Sequence, residues 1–579
     1  QSFVIQRGPT LPKPPCLIYC CVWRFRDRFC QEQLKEHFLS IIGLVSSASH
    51  HTKFVDKMDQ NGGVIPGRVA NGNGVAGSTN GHGPSKPQQP QAGDPDESLK
   101  WRVGLRNASG KFLTAEPFGF KLNASGASLK MRQTWVLVPD PEHPSTVCLK
   151  SHLNRFLSAD KDGLVSCSSE EAGPETRFII EYAGDGVQWA LKSAQHGLYF
   201  SGEEDRVKCF SKAPVWWTCQ LALHPQVHVK NLNRGRYLRL GSGEISADRV
   251  NPWGAESLIT LMKRDGRVAI RASDGRYLAR GGELLDRLDE AESLFSIQVH
   301  CGPCPGLAFK DSAGRFLTNI GATGTSKTKN QTVSKDELFV LEDSYPQIAV
   351  KAFNGRYASI KQGQDLNANQ SDIDVTETYQ LEFHAASGKW RFRTKDDKFW
   401  KLSTVGSGIS ATGDSRDQST LFAMEYQPKG RVALKCSNGS YLSAKKLGAV
   451  NATGSEVKSE EQFQLVLLNR PIVVFRCDFG FVGIKNSRLE CNLVSYDAFN
   501  LEVSDSGFYH IRGSEGFWCV QADGSISFKG ERPEEFLLEF RSRSCVAIQA
   551  SNGCYVRGEQ NGTMRADADE IRAACLWEY

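Results

Sequence analysis

The chain has 579 residues and a hydrophobic content of 40%, enough for several packed cores and too much for a wholly disordered protein. Seventy Lys and Arg against 65 Asp and Glu leave a net charge of +5, too slight for a dedicated nucleic-acid binder, so any charge-driven binding must be local. Its 17 Cys are odd in number and lack a regular framework, which favours reduced thiols in the cytosol over a disulfide scaffold, and no apolar stretch reaches the roughly 18 to 20 residues of a membrane span.

Residues 1–57 do not resemble the rest of the chain. They hold Cys16, Cys20, Cys21 and Cys30, with short apolar runs over 16–25 and 38–45, and the first Met of the chain is Met58. The expectation is a gene-model extension or alternative leader, with natural initiation at Met58. A signal peptide competes, but Arg24, Arg26, Asp27 and Arg28 stand where a small-residue cleavage site should be. From Met58 to about Asp96 the composition is Gly, Asn, Ser, Pro and Gln, too poor in apolar residues to offset the entropy of ordering, so residues 1–97 are expected to be an extension and a disordered tail.

After it one pattern recurs twelve times at a spacing near 40 residues: an alternating apolar run, a turn residue, usually a basic residue, then an aromatic. Gly110-Lys111-Phe112, Asn154-Arg155-Phe156, Gly235-Arg236-Tyr237, Gly275-Arg276-Tyr277, Gly314-Arg315-Phe316, Asp397-Lys398-Phe399 and Gly553-Cys554-Tyr555 are examples. Each unit then closes on a second short alternating strand, such as 134–138 or 257–262. Period-two alternation, as in Val268-Ala269-Ile270-Arg271, puts one face in a core and one in water, while helical periodicity is nowhere sustained. Repeat aromatics such as Phe112, Tyr237 and Tyr277 read as core, because they hold the same register in every unit.

Pro225, Pro346 and Pro471 precede the first strand of units four, seven and ten. Proline is tolerated at the start of a strand and poorly inside one, so these mark domain starts every third unit. The result is an all-β chain of four domains, 98–223, 224–345, 346–468 and 469–579, each of three four-stranded units, which is the bookkeeping of a β-trefoil. A propeller also uses units of this length, but twelve blades exceed the usual four to eight and its Gly-His and Trp-Asp marks are missing.

The segments Phe118-Gly119-Phe120-Lys121-Leu122-Asn123-Ala124-Ser125, Ser128-Leu129-Lys130, Lys335-Asp336-Glu337-Leu338-Phe339, Asn367-Ala368-Asn369-Gln370, Asn469-Arg470-Pro471-Ile472 and Leu576-Trp577-Glu578-Tyr579 resemble the fascins, actin-bundling proteins of four tandem β-trefoils. The resemblance runs from about residue 98 to residue 579, and the stretches 134–137 and 565–569 lean towards the retinal branch. It implies a monomeric, non-enzymatic, cytoplasmic crosslinker with no cofactor, packing actin filaments into tight parallel bundles in filopodia, microvilli, stereocilia or photoreceptor cells. It implies one actin-binding region between the first and fourth trefoils, at Lys111, Lys130 and Arg132 and at Arg470, Arg476 and Asp478, and a second in the third trefoil at Lys398, Lys445 and Lys446. Met131 stands where a further basic residue is usual in the family, removing one charge from the first patch.

Ser128 is followed at plus two and plus four by Lys130 and Arg132, a pattern kinases accept, and the matching Ser of fascins is phosphorylated to turn actin binding off. A phosphate adds roughly 1.5 to 2 negative charges at pH 7 and would cancel this patch, so a Ser/Thr kinase is an expected partner. Neither nucleic acid nor membrane insertion is expected. Cys301-Gly302-Pro303-Cys304 spells a thiol-redox motif, but Pro305-Gly306 and a strand come after it rather than the helix such a site needs, so it reads as a loop between units. The Asn-X-Ser/Thr sequons at Asn107, Asn123, Asn330, Asn369, Asn438, Asn451 and Asn561 would matter only in a secreted chain. No His cluster, phosphate-cradling loop or nucleophile elbow gives an enzyme class a foothold. The alternative function is glycan binding, since trefoil lectins repeat a Gln-X-Trp in each unit; this chain has it once, at Gln133 to Trp135. An adaptor for acidic polymers or lipids rests only on the basic turn tips.

Overall fold

The computed structural model describes residues 101–579 apart from Pro303 and Asp505; the leader and tail expected over residues 1–97 lie outside them. The described chain is strand throughout, with short 3-10 turns and no α-helix. In the first trefoil, Trp101–Arg106 pairs antiparallel with both Trp135–Pro139 and Trp217–Leu221. The circuit continues through Val147–Ser151, Phe178–Tyr182 and Gln188–Ser193 and returns to Trp217–Leu221, closing a six-stranded barrel. Closure removes every sheet edge, which is why these short strands hold together.

Three hairpins, Phe112–Ala115 with Leu122–Gly126, Phe156–Ala159 with Val165–Ser169, and Tyr199–Glu203 with Arg206–Ser211, cap the barrel. They are tied in a ring by backbone bonds: Ala124 N donates to Glu204 O (2.6 Å), Cys167 N to Phe120 O (3.2 Å) and Cys209 N to Gly163 O (3.0 Å). Barrel tryptophans join the layers, Trp135 Nε1 donating to Leu113 O (3.2 Å) and Trp217 Nε1 to Phe200 O (3.3 Å). The other three trefoils repeat this plan, with strands 226–343, 347–467 and 472–578.

The turn before each aromatic needs a left-handed residue. Gly110 supplies it at φ 77°, and where glycine is absent Asn154 (φ 59°) and Asp397 (φ 58°) take the same conformation, as their short polar side chains allow. An Asx side chain then catches the following backbone, Asn107 Oδ1 accepting from Lys111 N (2.8 Å) and Asp311 Oδ1 from Arg315 N (2.8 Å). The strand that leads into the turn carries a basic residue laid over the aromatic. Lys150 covers Phe156 (5.4 Å), Lys230 covers Tyr237 (5.1 Å), Arg271 covers Tyr277 (5.4 Å), Lys435 covers Tyr441 (5.0 Å) and Arg512 covers Phe517 (5.4 Å). The cation thus shields the outer face of a ring whose inner face is core.

The apolar core is continuous across the first and second trefoils, and again across the third and fourth. A half-buried tyrosine fastens each pair in the same way. The Tyr182 hydroxyl donates to Val299 O (2.9 Å) and accepts from Val299 N (2.7 Å), and the Tyr426 hydroxyl donates to Phe540 O (3.2 Å) and accepts from Phe540 N (2.5 Å).

Between the pairs the contacts are buried and polar. Gln226, after Pro225, donates from Nε2 to Ile472 O (2.7 Å) and accepts at Oε1 from Val474 N (3.0 Å). Gln347, after Pro346, does the same to the second trefoil, donating to Pro252 O (3.0 Å) and accepting from Gly254 N (2.8 Å). Each proline also begins its strand with a paired carbonyl, Pro225 O accepting from Leu261 N (2.9 Å) and Pro346 O from Leu381 N (2.9 Å).

Candidate functional site

The first predicted cluster is built at the open end of the first hairpin. Phe112 pairs with Gly126, so Lys111 and the stretch after Gly126 leave the hairpin at the same end. A 3-10 turn, Met131–Gln133, then feeds the closing strand. The Gln133 side chain is buried and folds back, its Oε1 accepting from Lys130 N (3.2 Å) and its Nε2 donating to Thr114 Oγ1 (3.0 Å), while the Thr134 hydroxyl donates to Lys130 O (3.0 Å). The same device recurs before other closing strands, with Glu337 accepting from Ser334 N (2.9 Å) and Glu461 from Lys458 N (3.0 Å). Pinned from below, Lys130, Met131 and Arg132 are exposed, Met131 at 70%.

Ser128 is half-buried beside this tip. Leu129 after it is seated against Gly104, where an added Cβ would stand 2.5 Å from Leu129 Cδ1. The missing side chain of Gly104 thus makes room for Leu129, the residue between Ser128 and Lys130. Arg132 is not a bare charge: Nη1 lies 3.2 Å from Glu116 Oε2, and Glu116 also accepts from Asn123 Nδ2 (2.9 Å). Both groups of this pair are solvated, so it holds Arg132 weakly and leaves it exchangeable for another partner.

The fourth-trefoil residues divide. Arg470 is 2% exposed, donating from Nη2 to Ser344 Oγ (2.7 Å) and lying 5.6 Å over the Tyr579 ring; burial pushes its guanidinium down to about 10. It is a junction residue, and the expectation of a surface contact there is corrected: Arg470 follows Asn469, whose side chain bonds Gln347 N (2.9 Å) and Tyr345 O (2.8 Å), so the linker into the fourth trefoil runs inside the molecule. Arg476 occupies the ring-covering position of its unit, 5.2 Å over Phe481, with Glu578 3.5 Å away. Asp478 is exposed in the turn after it. Among the described residues, no hydrogen bond or ion pair joins Lys111, Lys130 or Arg132 to Arg476 or Asp478.

In the third trefoil Lys398 is exposed on the turn that enters its hairpin, its N–H donating to Thr394 Oγ1 (3.2 Å). Lys445 and Lys446 are exposed at the far tip of the next hairpin, closed by Lys445 N donating to Ala449 O (2.7 Å). The Lys445 ammonium donates to Glu460 Oε2 (2.7 Å), and that bond raises it above its ordinary value. Leu447 beside them is 96% exposed.

Two other motifs have structural surroundings that bear on their reading. Gln133 and Trp135 of the lone Gln-X-Trp are buried, as turn latch and barrel core, and offer no sugar a surface. Burial pushes the Cys301 thiol up to about 11, away from the reactive thiolate, and the strand Gly306–Lys310 comes after it. What sequence reasoning missed is the structural use of cations: a Lys or Arg five to seven residues before the turn aromatic signals a ring cover, and Arg476 before Phe481 carries that mark.

The Fascin domain family matches this chain over residues 109–215, 227–341, 353–465 and 482–579. The chain is 42% identical to Fascin-2 of Bos taurus and 43% identical to Fascin-2 of Homo sapiens, each over 83% of this chain and 98% of the relative. It is 37% identical to Fascin of Strongylocentrotus purpuratus, over 84% of this chain and the whole of that protein.

Proposed function

The chain belongs to the fascin family, and from that premise we propose that it is a non-enzymatic crosslinker that packs actin filaments into tight parallel bundles in the cytoplasmic actin cytoskeleton of cell protrusions. Family membership over four successive domains carries the reading. Bundling asks one molecule to grip two filaments, so it needs a stiff body with separate contact faces, and many identical sites along a filament turn modest affinities into avidity. The Tyr, Gln and Arg contacts between trefoils support the stiffness.

The proposed contacts are Lys111, Lys130 and Arg132 on the first trefoil with Asp478 and the edge of Arg476 on the fourth, and Lys398, Lys445 and Lys446 on the third. Arg470, buried in the linker against Ser344 and Tyr579, is left out of these contacts. Lys130 and Arg132 are presented on a backbone held by Gln133 and Thr134, so little loop entropy opposes binding. Phosphorylation of Ser128 by a Ser/Thr kinase would set a dianion beside them, and we read it as the off switch. The protein acts as a monomer in this scheme. The test is low-speed pelleting with filamentous actin and electron microscopy of the mixture: regular tight bundles support the proposal, and decorated but separate filaments refute it.

A further inference from the structure

Lys263 and Arg264 end the strand Ile259–Arg264, and a two-residue turn, Asp265 (φ 46°) and Gly266 (φ 78°), returns the chain into Arg267–Arg271. Two successive left-handed residues make the tight hairpin turn that Asp-Gly favours. Gly266 is needed a second time, since an added Cβ would stand 2.5 Å from Val187 Cγ1 and 3.1 Å from Thr218 Cγ2 of the first trefoil. The second trefoil therefore drives this hairpin tip against the first. On the other side the Tyr496 hydroxyl of the fourth trefoil donates to Leu261 O.

Where the three trefoils meet lies a cavity of about 320 Å³, large enough for a small ligand, lined among others by Arg106, Cys219, Lys263, Arg264, Arg267 and Tyr496. Its charge is unbalanced. Asp265 is the one carboxylate among its described lining residues, and none of Arg106, Lys263, Arg264 and Arg267 has an ion-pair partner among the described residues. Arg476 adds positive field at Lys263 from the fourth trefoil, its own guanidinium lying near Glu578. The groups facing Lys263 are thus Cys219 and Arg106 from the first trefoil, Arg264, Asp265 and Arg267 from its own hairpin, and Arg476 and Tyr496 from the fourth. Burial, with Arg476 and Arg106 as like-charged neighbours, pushes the Lys263 ammonium down to about 7.

Lys263 and Arg267 are half-buried in the cleft and Arg106 and Arg264 are exposed along it, so like charges converge there whose mutual repulsion an anion would relieve. We propose that the cleft between the first, second and fourth trefoils is a binding site for a small phosphorylated anion, held by Arg106, Lys263, Arg264 and Arg267. Guanidinium forks match phosphate oxygens in pairs, and a lysine adds a point charge, so this donor set suits clustered phosphate better than a single carboxylate. The cavity admits a di- or triphosphate-sized group. An anion stabilises the protonated Lys263, so binding takes up protons and strengthens as pH falls through about 7.

The test is calorimetric titration of the full chain with inorganic tripolyphosphate at pH 6.5 and pH 8.5, beside thermal melts at matched ionic strength. Wild type should bind at pH 6.5 with a raised Tm, and roughly tenfold more weakly at pH 8.5. Lys263→Met, which keeps the stem and removes the charge, should bind at least tenfold more weakly at pH 6.5. Lys263→Arg should retain binding at both pH values, and Arg106→Gln should weaken it. A second arm pellets the protein with phosphatidylcholine vesicles with or without phosphatidylinositol bisphosphate: pelleting that Lys263→Met abolishes identifies a lipid headgroup as the source, and its absence identifies a soluble phosphate. No binding by wild type at pH 6.5, or an equal Tm rise in wild type and Lys263→Met, overturns the proposal. No arm contains actin, so failure of filament bundling leaves this result standing.

Discussion

A basic side chain in this fold has two destinies, and the residue before the turn decides between them. Cations that end an opening strand lie over the repeat aromatic, as Lys230 does over Tyr237 and Arg476 over Phe481, whereas after the turn Lys111 and Lys398 point to water and Arg155 turns back over Phe120. Arg470 follows neither rule, because it belongs to the buried linker between the third and fourth trefoils. Arg470→Gln should therefore lower Tm in a thermal melt while the folded fraction still co-sediments with filamentous actin as wild type does. Ser128→Asp should do the reverse, leaving Tm within about 1 °C of wild type, since Ser128 is half-buried in a surface loop and surface substitutions usually change stability by under about 0.5 kcal/mol, and reducing low-speed pelleting of actin severalfold at matched concentration. Unchanged pelleting would reject Ser128 as the switch.

At the scale of the element, the first hairpin and the 3-10 turn after it form one presentation device. Gln133 latches the turn from inside, and Gly104 on the opposing strand makes room for Leu129, so the strand floor sets where Ser128 and Lys130 emerge. Gly104→Ala should displace Leu129, costing about 1–3 kcal/mol as overpacking does, and should weaken actin binding although residue 104 is itself buried. A variant that loses stability and keeps full actin affinity would show that the loop is positioned by something else. The recurrence of the hairpins was legible as turn residues and aromatics at a constant spacing. The seven 3-10 turns among the described residues were not, because one turn of three residues carries no periodicity and its latch can be Gln133, Thr176 or Glu337.

For the whole molecule the question is what fixes trefoils of different pairs against each other. Gln226 and Gln347 act as lone strand segments, each answering one N–H and one carbonyl across a junction. Gln226→Ala leaves Ile472 O and Val474 N unpaired, at roughly 1–3 kcal/mol for each buried group. Bundles formed by this variant should be less regular in electron micrographs while single-filament binding persists; bundles as ordered as those of wild type would remove Gln226 from the account of stiffness. The same junction is sensitive to acid. Burial pushes His224 down to about 3 and His228 to about 4, so both are neutral when folded, His224 Nε2 donating to Val474 O (3.0 Å). In the unfolded chain they titrate near 6.5, so below that pH the unfolded state binds more protons and stability falls as pH drops from about 6.5 towards 4. Tm should be lower at pH 5 than at pH 7, and His224→Gln should shrink the difference.

The order of residues alone determined an all-β chain of twelve units, since period-two alternation, turn glycines and a fixed spacing are local facts written in every unit. Three prolines also mark strand starts, at Gln226, Gln347 and Ile472, because a missing N–H is a property of one residue. Only the tertiary structure decided that Arg470 is interior, that Arg476 covers a ring, and that Arg106, Lys263 and Arg476 gather where three trefoils meet. Burial and field depend on what folds back from a hundred or more residues away, and no local pattern encodes that distance.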